Sequence, residues 1–347
     1  MTQMQRRDFL KAAAGGAAWL SLSDAGLAQT PPLAHQFRPG EVWRDTSGVP
    51  IQAHGGGILY HEGVFYWYGE DKTQGYNNKV GASCYSSHDL YTWKHEGTAL
   101  VASTLPKQFQ DAGVLERPKV IYNAKTRKFV LWAHLDVNGY SESVAGVAIS
   151  DSPAGPFTLL SHSHPIGTST YRDMNLFLDE DGSAYALYSA EDNATIYIVR
   201  LNEEFTGPQM PLVEGETWVR AIPRHWREAP APFKHNGRYY LITSGTSGWD
   251  PNAAQLASAD HILGPWTLGD NPCVGPDANT TFHTQSTFVL PITGRSPGGF
   301  IYMGDRWKSQ DLADSRYVWL PFQFDSNGSF QLTWHETWDL SVFGKPI

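Results

Sequence analysis

Three carboxylates and an amide recur at a near-regular interval along the chain. Glu116, Asp173, Glu228 and Gln285 fall at or beside Gly55, Arg117, Asp173, Ala229 and Gln285, positions spaced about 56 to 62 residues apart. Two carboxyl groups facing one bond can divide the work of hydrolysis, one protonating the leaving oxygen while the other activates water. Glu228 lies in Arg227-Glu-Ala-Pro-Ala-Pro-Phe233, where two prolines restrict the backbone and could hold a carboxylic acid rigidly. Asp173, in Tyr171-Arg-Asp-Met-Asn175, either pairs with Arg172 or raises the pKa of a neighbouring acid through its charge. Glu116, in Leu115-Glu-Arg-Pro-Lys119, either binds a hydroxyl and activates water or forms a salt bridge to Arg117 or Lys119. Gln285 would be an odd base, since an amide has almost no basicity, but it can accept a hydrogen bond from water.

Other chemistries fit less well. His54 and His283 could join carboxylates around a metal, but no short ligand cluster is present, and His88, His95, His134 and His335 have no carboxylate pattern that singles them out. The stretch from Thr243 to Trp249 has serines but neither a nucleophile elbow nor a partnered histidine in recognisable order. No cofactor is called for; a structural calcium stays open as an expectation without support in the sequence. A net charge of -9 opposes tight binding to nucleic acid.

The elements that must position these groups read as strands. Gly57–Tyr68, Lys119–Trp132, Met174–Tyr188, Ala231–Thr243 and Ser286–Met303 each alternate apolar and polar residues around an Asn, Asp or Gly turn. Long amphipathic helices are missing. Echoes at Ser87–Trp93, Ser150–Phe157 and Ala259–Trp266 mark turns before outer strands. Five such units predict an all-β, five-bladed propeller with four-stranded antiparallel blades over residues 35–347, one domain despite the length of 347 residues. The chain has 33 Gly, 22 Pro and 13 Trp, which fits aromatic wedges between sheets and excludes a coiled coil or a disordered acidic chain. In a propeller the innermost strands converge on the axis, so His54, Glu116, Asp173, Glu228 and Gln285 meet at one end, with Glu70 at the far end of the first hairpin. Tyr66, Trp67, Tyr68, Trp249, Trp307 and Trp319 include candidate stacking surfaces, although strand aromatics are more often core. Tyr140 is a further candidate contact.

Residues 1–28 carry Arg6 and Arg7, a weakly apolar run and a small-residue site at Gly26-Leu-Ala28, which predicts a twin-arginine export signal. Residues 29–34 form a short lead-in. No later run is long and apolar enough to span a bilayer, so the mature chain is expected in the periplasm or outside the cell, as a monomer. Cys84 and Cys273 could pair there, but two cysteines do not make a disulfide scaffold.

The entrance motifs resemble glycoside hydrolase family 43, and especially its exo-β-1,3-galactanase branch. The likeness rests on Gln52-Ala-His-Gly-Gly-Gly57, Tyr66-Trp-Tyr-Gly-Glu70, Glu116-Arg-Pro-Lys119, Arg227-Glu-Ala-Pro230, Thr284-Gln-Ser286, Gly304-Asp-Arg-Trp307 and Ser315-Arg-Tyr-Val-Trp319. It implies that Glu228 is the acid and that Asp173 positions and tunes it. The family's blade-one aspartate base is replaced by the Ala53-His-Gly-Gly56 region, a departure characteristic of the galactanase branch. There the resemblance gives Gln285 the task of orienting or activating water, with an imidic acid as one form, and Glu116 a supporting place. Glu70, His54, Tyr140, Trp249 and Trp307 would bind substrate or tune the acid. The implied reaction is release of terminal galactose from β-1,3-galactan or arabinogalactan with inversion. An α-L-arabinofuranosidase or β-xylosidase of the same family should retain the missing aspartate. A non-catalytic carbohydrate-binding propeller would bind without releasing sugar.

Overall fold

Each predicted hairpin forms the inner half of a sheet in the computed structural model, which describes residues 35–110 and 112–346. Blade one runs outward from the axis through His54–His61, Val64–Glu70, Gly81–Ser87 and Lys94–Val101. Blade two follows with Val114–Asn123, Lys128–Asp136, Val144–Ser150 and Thr158–Ser163. Blade three uses Arg172–Leu178, Ala184–Ala190, Thr195–Arg200 and Trp218–Ile222, and blade four Arg227–His235, Arg238–Gly245, Gln255–Ala259 and Thr267–Leu268. All four are antiparallel meanders.

Blade five has three strands, Gln285–Ile292, Gly299–Arg306 and Arg316–Phe322. Beyond Phe322 the chain turns instead of extending, because the Asp325 carboxylate accepts from the N–H groups of Asn327 and Ser329. Leu332–Thr333 then pairs in parallel with Cys273–Val274. The ring closes through the N-terminal segment. Phe37 bridges Trp338, its ring stacked on the indole at 4.2 Å, and the N–H of Gly40 donates to the carbonyl of Tyr317 at 2.8 Å.

Each seam between adjacent blades has its own apolar cluster. Tyr68, Leu100 and Leu131 fill the seam between blades one and two, while Trp132, Tyr171 and Tyr188 fill the next. Leu187 and Leu241 join blades three and four, Phe233, Tyr302 and Phe322 join four and five, and Trp67, Trp93 and Trp319 join one and five. Trp67, Tyr68 and Trp319 are thus core, as expected of strand aromatics. Cys84 and Cys273 are buried free thiols in different seams, between blades one and two and between blades four and five.

The innermost strands share a device that the hairpin pattern did not reveal. Their ladders slip at the entrance, between His54 and Gly57, Glu116 and Lys119, Glu228 and Ala231, and Ser286 and Phe288, while in blade three the slip falls opposite Arg172 to Asn175. Gly55, Arg117, Asp173 and Ala229 take positive φ at these bulges, at 57°, 54°, 46° and 53°. A bulge bends its strand and re-aims the side chains beside it, here toward the axis. Below the bulges Lys119 crosses the channel, its buried Nζ donating to the Gly55 carbonyl at 2.6 Å. It lines a larger, mainly apolar cavity of about 910 Å³, distinct from the polar pocket at the strand entrances.

Candidate active site

The polar pocket has a volume of about 320 Å³. This is near the lower end of the range of roughly 300 to 1,000 Å³ for ligand sites. Glu70, Glu116, Asp173, Glu228, Gln285, Tyr140, Trp249 and Trp307 all line it, so the structure brings together eight of the nine residues expected there. The larger cavity is lined mainly by apolar side chains, its carboxylates Asp179 and Glu180 are paired with Lys234, and none of the expected site residues faces it. Among the described residues no group of three or more His, Cys, Asp or Glu side chains is arranged to hold a metal.

Glu228 is 7% exposed at the entrance of blade four. Its Oε1 accepts from Gln285 Nε2 at 2.8 Å and its Oε2 from Asn193 Nδ2 at 3.1 Å. Burial, reinforced by the charge of Asp173 and opposed by Arg117 and Arg227, pushes its pKa up to about 8. A carboxyl group so placed keeps its proton at neutral pH, which a general acid requires.

Glu116 has the opposite character. Burial alone would raise its pKa, but a hydrogen bond and the charge of His134, with help from Lys72 and Tyr140, hold it down at about 2. His134 is clamped between carboxylates, Nδ1 at 3.0 Å from Glu116 and Nε2 at 3.2 Å from Asp136. Burial would lower its pKa, yet these two partners lift it to about 9. Glu116 is thus an anion paired with a buried imidazolium, and neither Arg117 nor Lys119 is its partner. Tyr140 donates its hydroxyl proton to Glu116 and receives one from Tyr76.

Arg117, only 3% exposed, ties the centre together. Its Nε donates to Asp173 at 3.0 Å, its Nη1 to the Ser286 carbonyl at 2.7 Å, and its Nη2 to Gln285 Oε1. Asp173 therefore pairs with Arg117, not with Arg172, whose Nε reaches Ser143. The Arg117 N–H donates to Glu70 Oε1 at 2.9 Å, and Lys72 meets the other Glu70 oxygen at 2.8 Å. Gln285 has all four amide valences engaged, because Trp307 Nε1 also donates to Oε1 at 3.1 Å and Nε2 also donates to Ser244 at 3.1 Å. Arginine and indole N–H groups only donate, so they fix Oε1 as a carbonyl oxygen in this arrangement.

His54 is the exception among the expected residues. It is fully buried, stacks on Tyr317 at 5.0 Å and does not line the pocket. Burial, then the charges of Lys72 and Arg316, lower its pKa to about 3, so it stays neutral. Its ring lies 5.7 Å from that of Trp307, a supporting position, not a substrate contact. Asp305, which no spacing pointed to, accepts from the Gly55 N–H, and burial pushes its carboxyl up to about 7. Arg117, His134, Lys72, Tyr76 and Asn193 were likewise missed as site residues, since Arg117, Lys72, Tyr76 and Asn193 reach the centre from a bulge or a loop that periodicity does not reveal and His134 from a strand next to the innermost one. His134 carried one readable clue, Asp136 two residues on along the same strand face.

A polar pocket at the inner-strand entrances of a propeller, with one protonated and one ionised carboxyl group, is the arrangement of a propeller glycosidase. The chain belongs to glycosyl hydrolases family 43, whose profile matches residues 51–286. It is similar to a solved family 43 β-1,3-galactosidase with galactodeoxynojirimycin, at 41% identity and a TM-score of 0.82, covering 88% of this chain and 100% of that one. It is also similar to an exo-β-1,3-galactanase from Phanerochaete chrysosporium with β-1,3-galactotriose, at 36% identity and a TM-score of 0.80, covering 88% and 69% of the two chains. A Clostridium thermocellum exo-β-1,3-galactanase matches at 34% identity and a TM-score of 0.79, over 87% of this chain and 66% of that one. No curated protein sequence matches the chain.

Proposed function

We propose that the protein is an exo-β-1,3-galactanase that removes terminal galactose from β-1,3-galactan and arabinogalactan backbones. The observation that carries this reading is a pocket that brings protonated Glu228 together with ionised Glu116, in a chain similar to galactanases over most of its length. Glu228 gives its proton to the glycosidic oxygen as the bond from that oxygen to the anomeric carbon breaks. Gln285 and Asn193 then donate to the carboxylate left behind. Glu116, kept ionised by His134, stabilises the positive charge that develops on the sugar ring. Gln285 orients the attacking water once one of the two bonds to its oxygen opens. As the water oxygen bonds the anomeric carbon, its extra proton passes to solvent, from which Glu228 regains the proton it gave to the leaving oxygen. Glu228 and Gln285 touch at 2.8 Å, so the spacing of about 6.5 to 9.5 Å between acid and base in inverting enzymes does not describe this pair. The product itself is the better ruler, since inversion yields α-galactose first.

Incubation with β-1,3-galactan and arabinogalactan, beside xylan and arabinan, tests the function. Galactose release that disappears in Glu228→Gln supports it, and release of xylose or arabinose alone overturns it. We also propose that residues 1–28 direct twin-arginine export to the periplasm or beyond. That segment and the 29–34 lead-in lie outside the described residues. A reporter fused behind residues 1–28 should stay in the cytoplasm when Arg6 and Arg7 are both changed to Lys; unchanged export would refute the signal.

A further inference from the structure

The pocket accepts one chain end, but the rest of a galactan must leave past its rim on the side of the acid, because Glu228 protonates the oxygen that joins the two parts. That flank is built by two turns. One joins the second and third strands of blade three and carries Asn193, whose amide donates to Glu228. The other, Pro223 to Trp226, links the outer strand of blade three to the inner strand of blade four. The two are pinned together, the Arg224 N–H donating to Thr195 Oγ1 at 3.1 Å and the Trp226 N–H to the Ala194 carbonyl at 3.2 Å.

Trp226 stands two residues before the acid and is 57% exposed. Its backbone has a φ of 53°, a conformation that is an outlier for a bulky side chain. Among the described residues its indole pairs with no aromatic ring and no cation. A single exposed apolar residue needs no function. This one combines an unpartnered indole, a left-handed backbone held by a hydrogen bond, and anchorage to the loop that touches the acid. We propose that Trp226 is a stacking platform for the galactopyranose ring on the leaving side of the scissile bond, a subsite outside the pocket. The apolar face of a pyranose covers an aromatic ring, and a platform whose backbone is held before binding spends little backbone entropy.

The inference rests on the galactanase reading, and two substrates separate them. β-1,3-Galactotriose has leaving-side sugars, whereas β-galactosyl fluoride has none. In Trp226→Ala, kcat/KM for the triose should fall about tenfold, mainly through KM, while hydrolysis of the fluoride is unchanged. Trp226→Phe should restore most of the loss. An unchanged triose rate overturns the platform, and an equal loss on both substrates overturns it in favour of support for the pocket. A wild-type protein that releases no galactose from the triose overturns the function and the platform with it.

Discussion

At the scale of single residues, the site depends on two carboxyl groups whose environments push them apart. Glu228 is buried beside Asp173 and keeps its proton to a pKa of about 8, while Glu116 is bound to an imidazolium and keeps its charge down to about 2. The acid must be protonated to act, so kcat/KM for galactan should hold through neutral pH and decline as pH rises past about 8. A limb at the ordinary glutamate range would show that Glu228 is not held protonated at neutral pH. Gln285→Glu places a second carboxylate against Glu228, so its alkaline limb should move upward. His134 makes a stability prediction. Its folded pKa of about 9 exceeds the ordinary 6.5, so the stability it contributes is complete below pH 6.5 and lost as pH rises toward 9. The depressed Glu116 value reports the same contact from the other partner and is not added to it. His134→Ala leaves two buried carboxylates without their cation and should cost about 3 to 5 kcal/mol in urea unfolding at pH 6. A loss under about 1 kcal/mol would mean that the imidazole is not charged.

At the scale of elements, the repeated bulge matters more than the strands it interrupts. Gly55 is legible as a special position, but Arg117, Asp173 and Ala229 adopt the same left-handed backbone without being glycine. Their shared sequence interval is the interval of these bulges. A Cβ on Gly55 would stand 2.3 Å from Glu70 Oε1, at a φ of 57°. Gly55→Ala should therefore displace Glu70 from the Arg117 N–H and reduce activity together with thermal stability. Ala229→Gly works in the other direction. Glycine removes a left-handed penalty of roughly 1 to 2 kcal/mol but adds freedom to the unfolded chain, so the change should be neutral or stabilise by under about 1 kcal/mol. Calorimetry on both variants checks the pair, and a marked destabilisation by Ala229→Gly would show that the Cβ is needed for packing.

At the scale of the whole molecule, five seams packed with aromatics hold the ring, and the N-terminal segment closes it through Phe37 and Trp338. The cysteines sit in separate seams, and burial pushes the Cys273 thiol up to about 12 and raises that of Cys84 as well. Dithiothreitol should leave the melting temperature unchanged, and two thiols should react with a maleimide only after denaturation. A melting temperature lowered by reductant would contradict the free-thiol arrangement. The five units, their hairpins and the buried strand aromatics could be read from the sequence, because alternation and turn residues act locally and repeat along the chain. The carboxylates of the site could be read for the same reason, since each sits at a fixed place in its unit. Which groups pair was decided only by the tertiary structure. Glu116 chose His134 over its sequence neighbours, Asp173 chose Arg117, and His54 turned under Trp307. Glu116 and His134 face each other on paired strands of blade two, but the choices of Asp173 and His54 depend on strands from different blades meeting at one axis, where burial strengthens each charge interaction and sequence distance carries no record of the proximity.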